Sequence, residues 1–211
     1  SGEGGMVITN DKTVYQRACL AHDSAMVFWS RGENWLRPFA GENYRMCELR
    51  AALGLVQFGR LDWILNRCRA IKRRILKGIG DLPQIRLQDV PEPAGDCGIS
   101  LVFYLPDSKR AQTFSEALKK EGVPNGTMFN QGIPDRHIYC HWEYVMNQWS
   151  RDRLGLPWNR AIYKGNVRYS RDLCPNTLHW LERAIALHLH QRLTVRDADD
   201  IVRAIRKVAV A

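Results

Sequence analysis

No apolar stretch in this chain approaches the roughly 20 residues that a membrane-crossing helix needs, so a helical span is excluded as a reading. The opening Ser1-Gly2-Glu3-Gly4-Gly5 lacks a signal peptide's succession of basic, apolar and small-residue regions, and secretion loses its support. Cysteine is scattered at Cys19, Cys47, Cys68, Cys97, Cys140 and Cys174 with no CxxC pair. That spacing argues against a zinc ribbon, a thioredoxin-like motif or an iron–sulfur cluster, and fits reduced thiols in the cytoplasm. There is no internal repeat and no low-complexity tract. Acidic residues are outnumbered, 22 against 31 basic ones, giving a net charge of +9 over 211 residues.

What is present is the balance of a globular protein: 45% hydrophobic and 25% charged residues. Seven of the basic residues (Arg60, Arg67, Arg69, Lys72, Arg73, Arg74, Lys77) fall in one segment against a single acid, Asp62. A cluster of this kind can be a footprint for anionic polymers. Here it has no interleaved aromatics and no nucleic-acid motif, and a helix with one charged side is usually only solvated, so no nucleic-acid partner is expected.

Met6-Val7-Ile8-Thr9 reads as a short strand, followed by an Asn10-Asp11 cap and a helix over Thr13–Leu20. Residues 22–42, with His22, Trp29, Arg31, Trp35 and Arg37, show no sustained period and read as a long loop. From Tyr44 to Ile79 the pattern predicts one long helix or two collinear ones, able to bend at Gly54 or Gly59 and to stop at Gly78 or Gly80. Further on, Ile99, Leu101, Phe103 and Leu105 alternate with smaller or polar residues as in a half-buried strand. Asp107–Gly122 is an amphipathic helix, residues 123–170 are irregular and rich in aromatics, Pro175 opens a helix to about Leu187, and Thr194-x-x-Asp197 opens the last one. Strands alternating with helices over 81–211 indicate a small α/β domain.

Several motifs invite chemistry. The Gly2-Glu3-Gly4-Gly5 turn is neither GxGxxG nor a P-loop, and serves as well for a tight turn as for a phosphate cradle. His137 and His141, and His188 and His190, have spacings that metals use, but no carboxylate or third histidine has a companion position, so no metal is expected. Tyr139, Trp142, Tyr144 and Trp149 surround His141 and offer either packing or a stacking surface for a substrate. The sharpest signal is Gly41-Glu42-Asn43-Tyr44-Arg45-Met46 ahead of Glu48-Leu49 and Ala51–Gln57. Asn43 and Arg45 stand there at the expected start of a helix, where side-chain and backbone donors favour a phosphate.

With these stretches the chain resembles the DegT/DnrJ/EryC1/StrS family of sugar aminotransferases, in its C-terminal half. The resemblance is carried by S-G-E-G-G-M-V-I-T-N-D at 1–11, the His22 region, G-E-N-Y-R-M-C-E-L-R-A-A-L-G-L-V-Q at 41–57, Leu61-Asp62 with Arg67, and the closing C-P-N-T and L-T-V-R-D-A-D-D-I-V-R-A-I stretches. It implies an α/β, aspartate-aminotransferase-like fold of type I. The expected division is 1–59 as the end of the large pyridoxal-phosphate domain with a dimer-interface loop, 60–80 as an interdomain helix, and 81–211 as the small C-terminal domain.

The resemblance also implies pyridoxal 5'-phosphate as cofactor and a homodimer with composite active sites. Asn43 would reach the phosphate of the neighbour's cofactor, with Arg45 beside it, and the Schiff-base lysine would precede Ser1, leaving no catalytic residue in this chain. Glutamate or glutamine would give an amino group that passes to a keto-sugar. Residues 94–107 and the aromatic segment after Gly126 resemble enzymes that aminate position 8 of an octulosonate, beside which a nucleotide-linked keto-hexose is the other substrate class. His22, Arg37 and His141 are the expected substrate contacts. A deoxysugar dehydratase of the same fold and a basic non-catalytic binding module are the alternatives.

Overall fold

The computed structural model describes residues 2–23, 36–128, 134–159 and 161–210. Most of the expected 22–42 loop, with Trp29, Arg31 and Trp35, lies outside them. The chain divides into two compact units, residues 1–62 and 63–211.

In the first unit the Asp11 carboxylate accepts from the Thr13 and Val14 N–H groups and starts α1 (Lys12–His22), as the cap in the sequence dictates. The chain then returns along the end of that helix. Glu42 N–H donates to Ala21 O at 3.0 Å and Tyr44 N–H to His22 O at 2.8 Å, and Asp23 bridges Asn43 in antiparallel fashion. Gly41 is required at this approach, because a Cβ there would stand 2.5 Å from the Leu20 carbonyl oxygen. The pairing holds residues 42–44 out of a helix, so α2 runs only over Glu48–Phe58.

The strand expected at Met6–Thr9 does not form: among the described residues none pairs with it, and Met6 and Ile8 stay 85% and 86% exposed. A β-branched run becomes a strand only where a neighbour completes its ladder. Gly59 caps α2 by donating to Leu55 O, and α3 (Leu61–Ile79) follows after the break. Of the two glycines at which the sequence allows a bend, it is Gly59 that interrupts the helix.

The second unit is built on an antiparallel sheet of order β1-β2-β3: β1 (Arg86–Leu87), β2 (Ser100–Tyr104) and β3 (Ala184–His188). Leu101 faces Leu187 and Phe103 faces Ile185 across the β2–β3 ladder, and all four side chains are buried. Against them pack Ile71, Ile75 and Ile79 of α3, Ala111, Phe114 and Leu118 of α4 (Ser108–Lys120), and Ala198, Ala204 and Ile205 of α7 (Val195–Ala209). Asp107 caps α4, and Thr194 with Asp197 forms the expected capping box on α7.

The helix expected from Pro175 to Leu187 stops early. α6 covers Pro175–Leu181 and the chain turns into β3, because Ile185 and Leu187 alternate with Ala184 and Ala186 and bury one face against β2. Two short elements, a 3-10 turn at Tyr139–His141 and α5 (Glu143–Met146), lie in the irregular region that the sequence indicates.

The basic segment is only in part a solvated face: Arg60, Arg73, Arg74 and Lys77 are exposed, but several of its cations are also engaged. Arg67 donates to Leu193 O at 2.9 Å, Arg69 to Asp96 O and Ala94 O, Lys72 to Asp96 at 2.6 Å, and Arg74 holds Asp199 with two bonds at 2.5 and 2.8 Å. Four of its seven cations thus tie α3 into the second unit.

Candidate cofactor and substrate site

The G-E-N-Y-R-M stretch acquires its geometry from the end of α1. Asn43 Oδ1 accepts from Arg45 N–H at 3.1 Å, so its oxygen is turned back on the chain and its amide NH2 is the group left to donate elsewhere. Arg45 Nε lies 3.4 Å from a carboxylate oxygen of Asp23, whose side chain is only 6% exposed while that of Arg45 is 50% exposed. The Tyr44 hydroxyl donates to Glu42, which raises the tyrosine's pKa. These residues precede Glu48, so the donors belong to an extended segment locked on α1 and not to the first turn of a helix, where the sequence pattern locates them.

His22 closes α1, with Nδ1 2.8 Å from Cys19 O and its carbonyl taken by Tyr44. Arg37 stands exposed in the irregular stretch before Gly41. His22, Asn43 and Arg45 are therefore brought together in the first unit, with Arg37 a few residues along the same stretch. His141 belongs to the second. There its Nδ1 is 2.8 Å from the Asp135 carbonyl, which makes Nδ1 the donor and leaves Nε2 as acceptor. The Asp135 carboxylate accepts from His137 N–H and lies 2.8 Å from His137 Nδ1; the backbone bond is the leading reason its pKa is lowered. Trp142 Nε1 donates to Arg136 O, completing a turn stiffened at three points. Among the described residues no group of three His, Cys, Asp or Glu side chains is arranged to hold a metal.

Asp23 and Asp135 belong to no motif that sets them apart in the sequence. The one signal for Asp23 is an acid at the C-terminal end of a helical pattern, where the helix dipole disfavours it and a partner is called for.

Residues 1–159 match the DegT/DnrJ/EryC1/StrS aminotransferase family. The chain belongs to that family. It is 25% identical over 218 aligned positions to the spore coat polysaccharide biosynthesis protein SpsC of Bacillus subtilis (strain 168), covering 99% of this chain and 50% of that protein. It is 41% identical over 85 residues to the GDP-perosamine synthase of Escherichia coli O157:H7, covering 40% of this chain and 22% of the relative. The chain thus spans half, or less, of the length of the curated relatives it matches. The fold is that of Spr1654 from Streptococcus pneumoniae in its PLP form, with a TM-score of 0.65 at 16% identity over 96% of this chain and 45% of that one. The family is a fold-type I group whose cofactor is pyridoxal 5'-phosphate.

The donor set present here fits one end of that cofactor. An amide NH2 and a guanidinium two residues apart on one extended segment, both residues exposed, suit a phosphate dianion.

Proposed function

We propose that these residues act within an aminotransferase that moves an amino group from glutamate or glutamine to a keto-sugar. The observation that carries this reading is the Asn43–Arg45 segment, pinned against the end of α1 with its donors outward, inside the region that matches the family. When bound, pyridoxal 5'-phosphate supplies the electron sink for the carbon that gains or loses nitrogen. Asn43 and Arg45 hold the phosphate by charge-assisted hydrogen bonds, and fix where the reacting end of the cofactor lies. Their exposure on this unit fits a site completed in a homodimer, where they serve the neighbour's cofactor. Arg37 offers donors to an anionic substrate group, and His22 and His141, each with Nδ1 turned to a backbone carbonyl, offer Nε2 to a sugar hydroxyl.

A nucleotide-linked keto-hexose is the favoured substrate. Three relatives carry the name GDP-perosamine synthase. Residues 94–107, one of the two parts that resemble octulosonate enzymes, also serve packing: Asp96 clamps α3, and Leu101 and Phe103 of β2 fill the core. The division into 1–59, 60–80 and 81–211 is kept as part of the proposal; α2, with no buried residue and with Leu49, Leu55 and Phe58 more than 70% exposed, fits the edge of a larger domain. The unpaired thiols of all six cysteines suit the cytoplasm.

The test uses the full-length protein with pyridoxal phosphate, 15N-glutamate or 15N-glutamine, and a GDP- or other nucleotide-linked keto-hexose. The expected result is the absorbance of protein-bound cofactor and a sugar heavier by the labelled nitrogen in mass spectra. Loss of water from the sugar with no nitrogen gained would replace this reading by the dehydratase, and a protein that binds no cofactor would end both.

A further inference from the structure

Among the described residues of the first unit Asp23 is the most buried carboxylate, at 4% residue exposure, and it sits where an anion is least welcome. It caps the C-terminal end of α1, so the partial negative charge of the helix carbonyls adds to the cost of taking the carboxylate out of water. Arg45 is set against it, through Nε at 3.4 Å. The same residue is paired by its backbone with Asn43. One buried side chain thus stands behind both donors of the phosphate cradle: it steers the guanidinium directly, and its backbone sets the register in which Asn43 Oδ1 meets the Arg45 N–H at 3.1 Å.

We propose that Asp23 is a positioning residue for the cofactor phosphate, acting through Arg45. An arginine side chain half in water has many rotamers, and a phosphate that must select one of them binds with a penalty. Contact at Nε fixes the plane and direction of the guanidinium before the anion arrives. Lysine has no Nε edge and no planar fork, so it cannot keep both the Asp23 contact and the phosphate contact. The proposal rests on the reading of Asn43 and Arg45 as phosphate donors.

The experiment compares two ligands on the apo form of the full-length protein: pyridoxal phosphate, and pyridoxal without its phosphate. Dissociation constants are measured by titration for the unaltered protein, Asp23→Asn, Arg45→Lys, Arg45→Ala and the double variant Asp23→Asn/Arg45→Ala. Asp23→Asn is expected to weaken pyridoxal phosphate about tenfold, the loss that goes with one charge-assisted hydrogen bond, and to leave pyridoxal within about twofold. Arg45→Lys should show the same selective loss, and Asp23→Asn should add nothing once Arg45 is alanine, as expected for two residues acting as one unit. Equal weakening of both ligands, additive losses, or unchanged pyridoxal phosphate affinity in Asp23→Asn would overturn the assignment. If the unaltered protein fails to prefer pyridoxal phosphate over pyridoxal, the phosphate-donor reading itself falls, a result distinct from an Asp23 variant that behaves like the unaltered protein.

Discussion

Lys72 lies almost wholly out of water, its side chain 10% exposed, and its ammonium donates to Asp96 at 2.6 Å. The other oxygen of Asp96 accepts from Gly98 N–H at 2.9 Å. The Lys72 bond first, and the Gly98 N–H second, hold the Asp96 carboxyl below the usual carboxylate range, while burial opposes them. The folded pKa is therefore the lower one, so this carboxylate contributes stability at pH values above the unfolded value of about 3.9. That contribution disappears as pH falls through the depressed folded value. In urea denaturation, Asp96→Asn should flatten this acid limb relative to the unaltered protein. Asp96→Ala should cost about 3 kcal/mol at neutral pH, because it leaves the Lys72 charge buried and unpaired. A loss below about 0.5 kcal/mol would mean that Lys72 is hydrated in solution.

At the scale of elements, two close approaches fix α3 in the second unit. A Cβ on Gly98, at φ +71°, would stand 2.6 Å from Arg69 N, and one on Gly78 would stand 2.6 Å from Val202 Cγ2. Arg206 Nε donates to Gly78 O at 2.7 Å across the α3–α7 contact, and its guanidinium also reaches Asp81. Gly98→Ala combines left-handed backbone with a clash against a helix backbone that cannot yield. It is expected to destabilise by about 3 kcal/mol, read as a shift of the denaturation midpoint. Thr194→Ala removes the acceptor for Asp197 N–H at the head of α7 and should cost about 1 kcal/mol.

These elements differ in how far they could be read in advance. α1, α4 and α7 announce themselves because Asp11, Asp107 and Thr194 are local signals acting on the next few residues. β3 escapes because Pro175-Asn176-Thr177 is a good helix opening, and what turns Ala184–His188 into a strand is the β2 edge, distant in sequence. The true role of Arg67, Arg69, Lys72 and Arg74 escapes for the same reason, since each finds its partner at a distance in sequence.

For the molecule as a whole, the shared-site reading makes a prediction that neither unit makes by itself. If Asn43 serves the neighbouring subunit's cofactor, a subunit lacking the active-site lysine and a subunit carrying Asn43→Ala fail in complementary ways. Mixed dimers contain one site with both defects and one with neither. Refolding the two inactive full-length proteins together should restore about a quarter of the unaltered activity, from half the dimers being mixed and half their sites intact. Mixed dimers demonstrated by mass spectrometry yet devoid of activity would count against a site shared across the interface.

The amino-acid sequence alone determined the family, through the Asn43–Arg45 stretch and the segments around it, and the helices that begin with their own caps. These are properties of neighbouring residues, and a local signal survives without any fold. Tertiary structure decided what was non-local: that the basic helix is docked through several of its cations, that residues 42–44 are extended along the end of α1, and that Asp23 is buried against Arg45. Charge and burial depend on what the rest of the chain brings within a few ångströms, and Coulomb and desolvation energies have no fixed value until that distance is set.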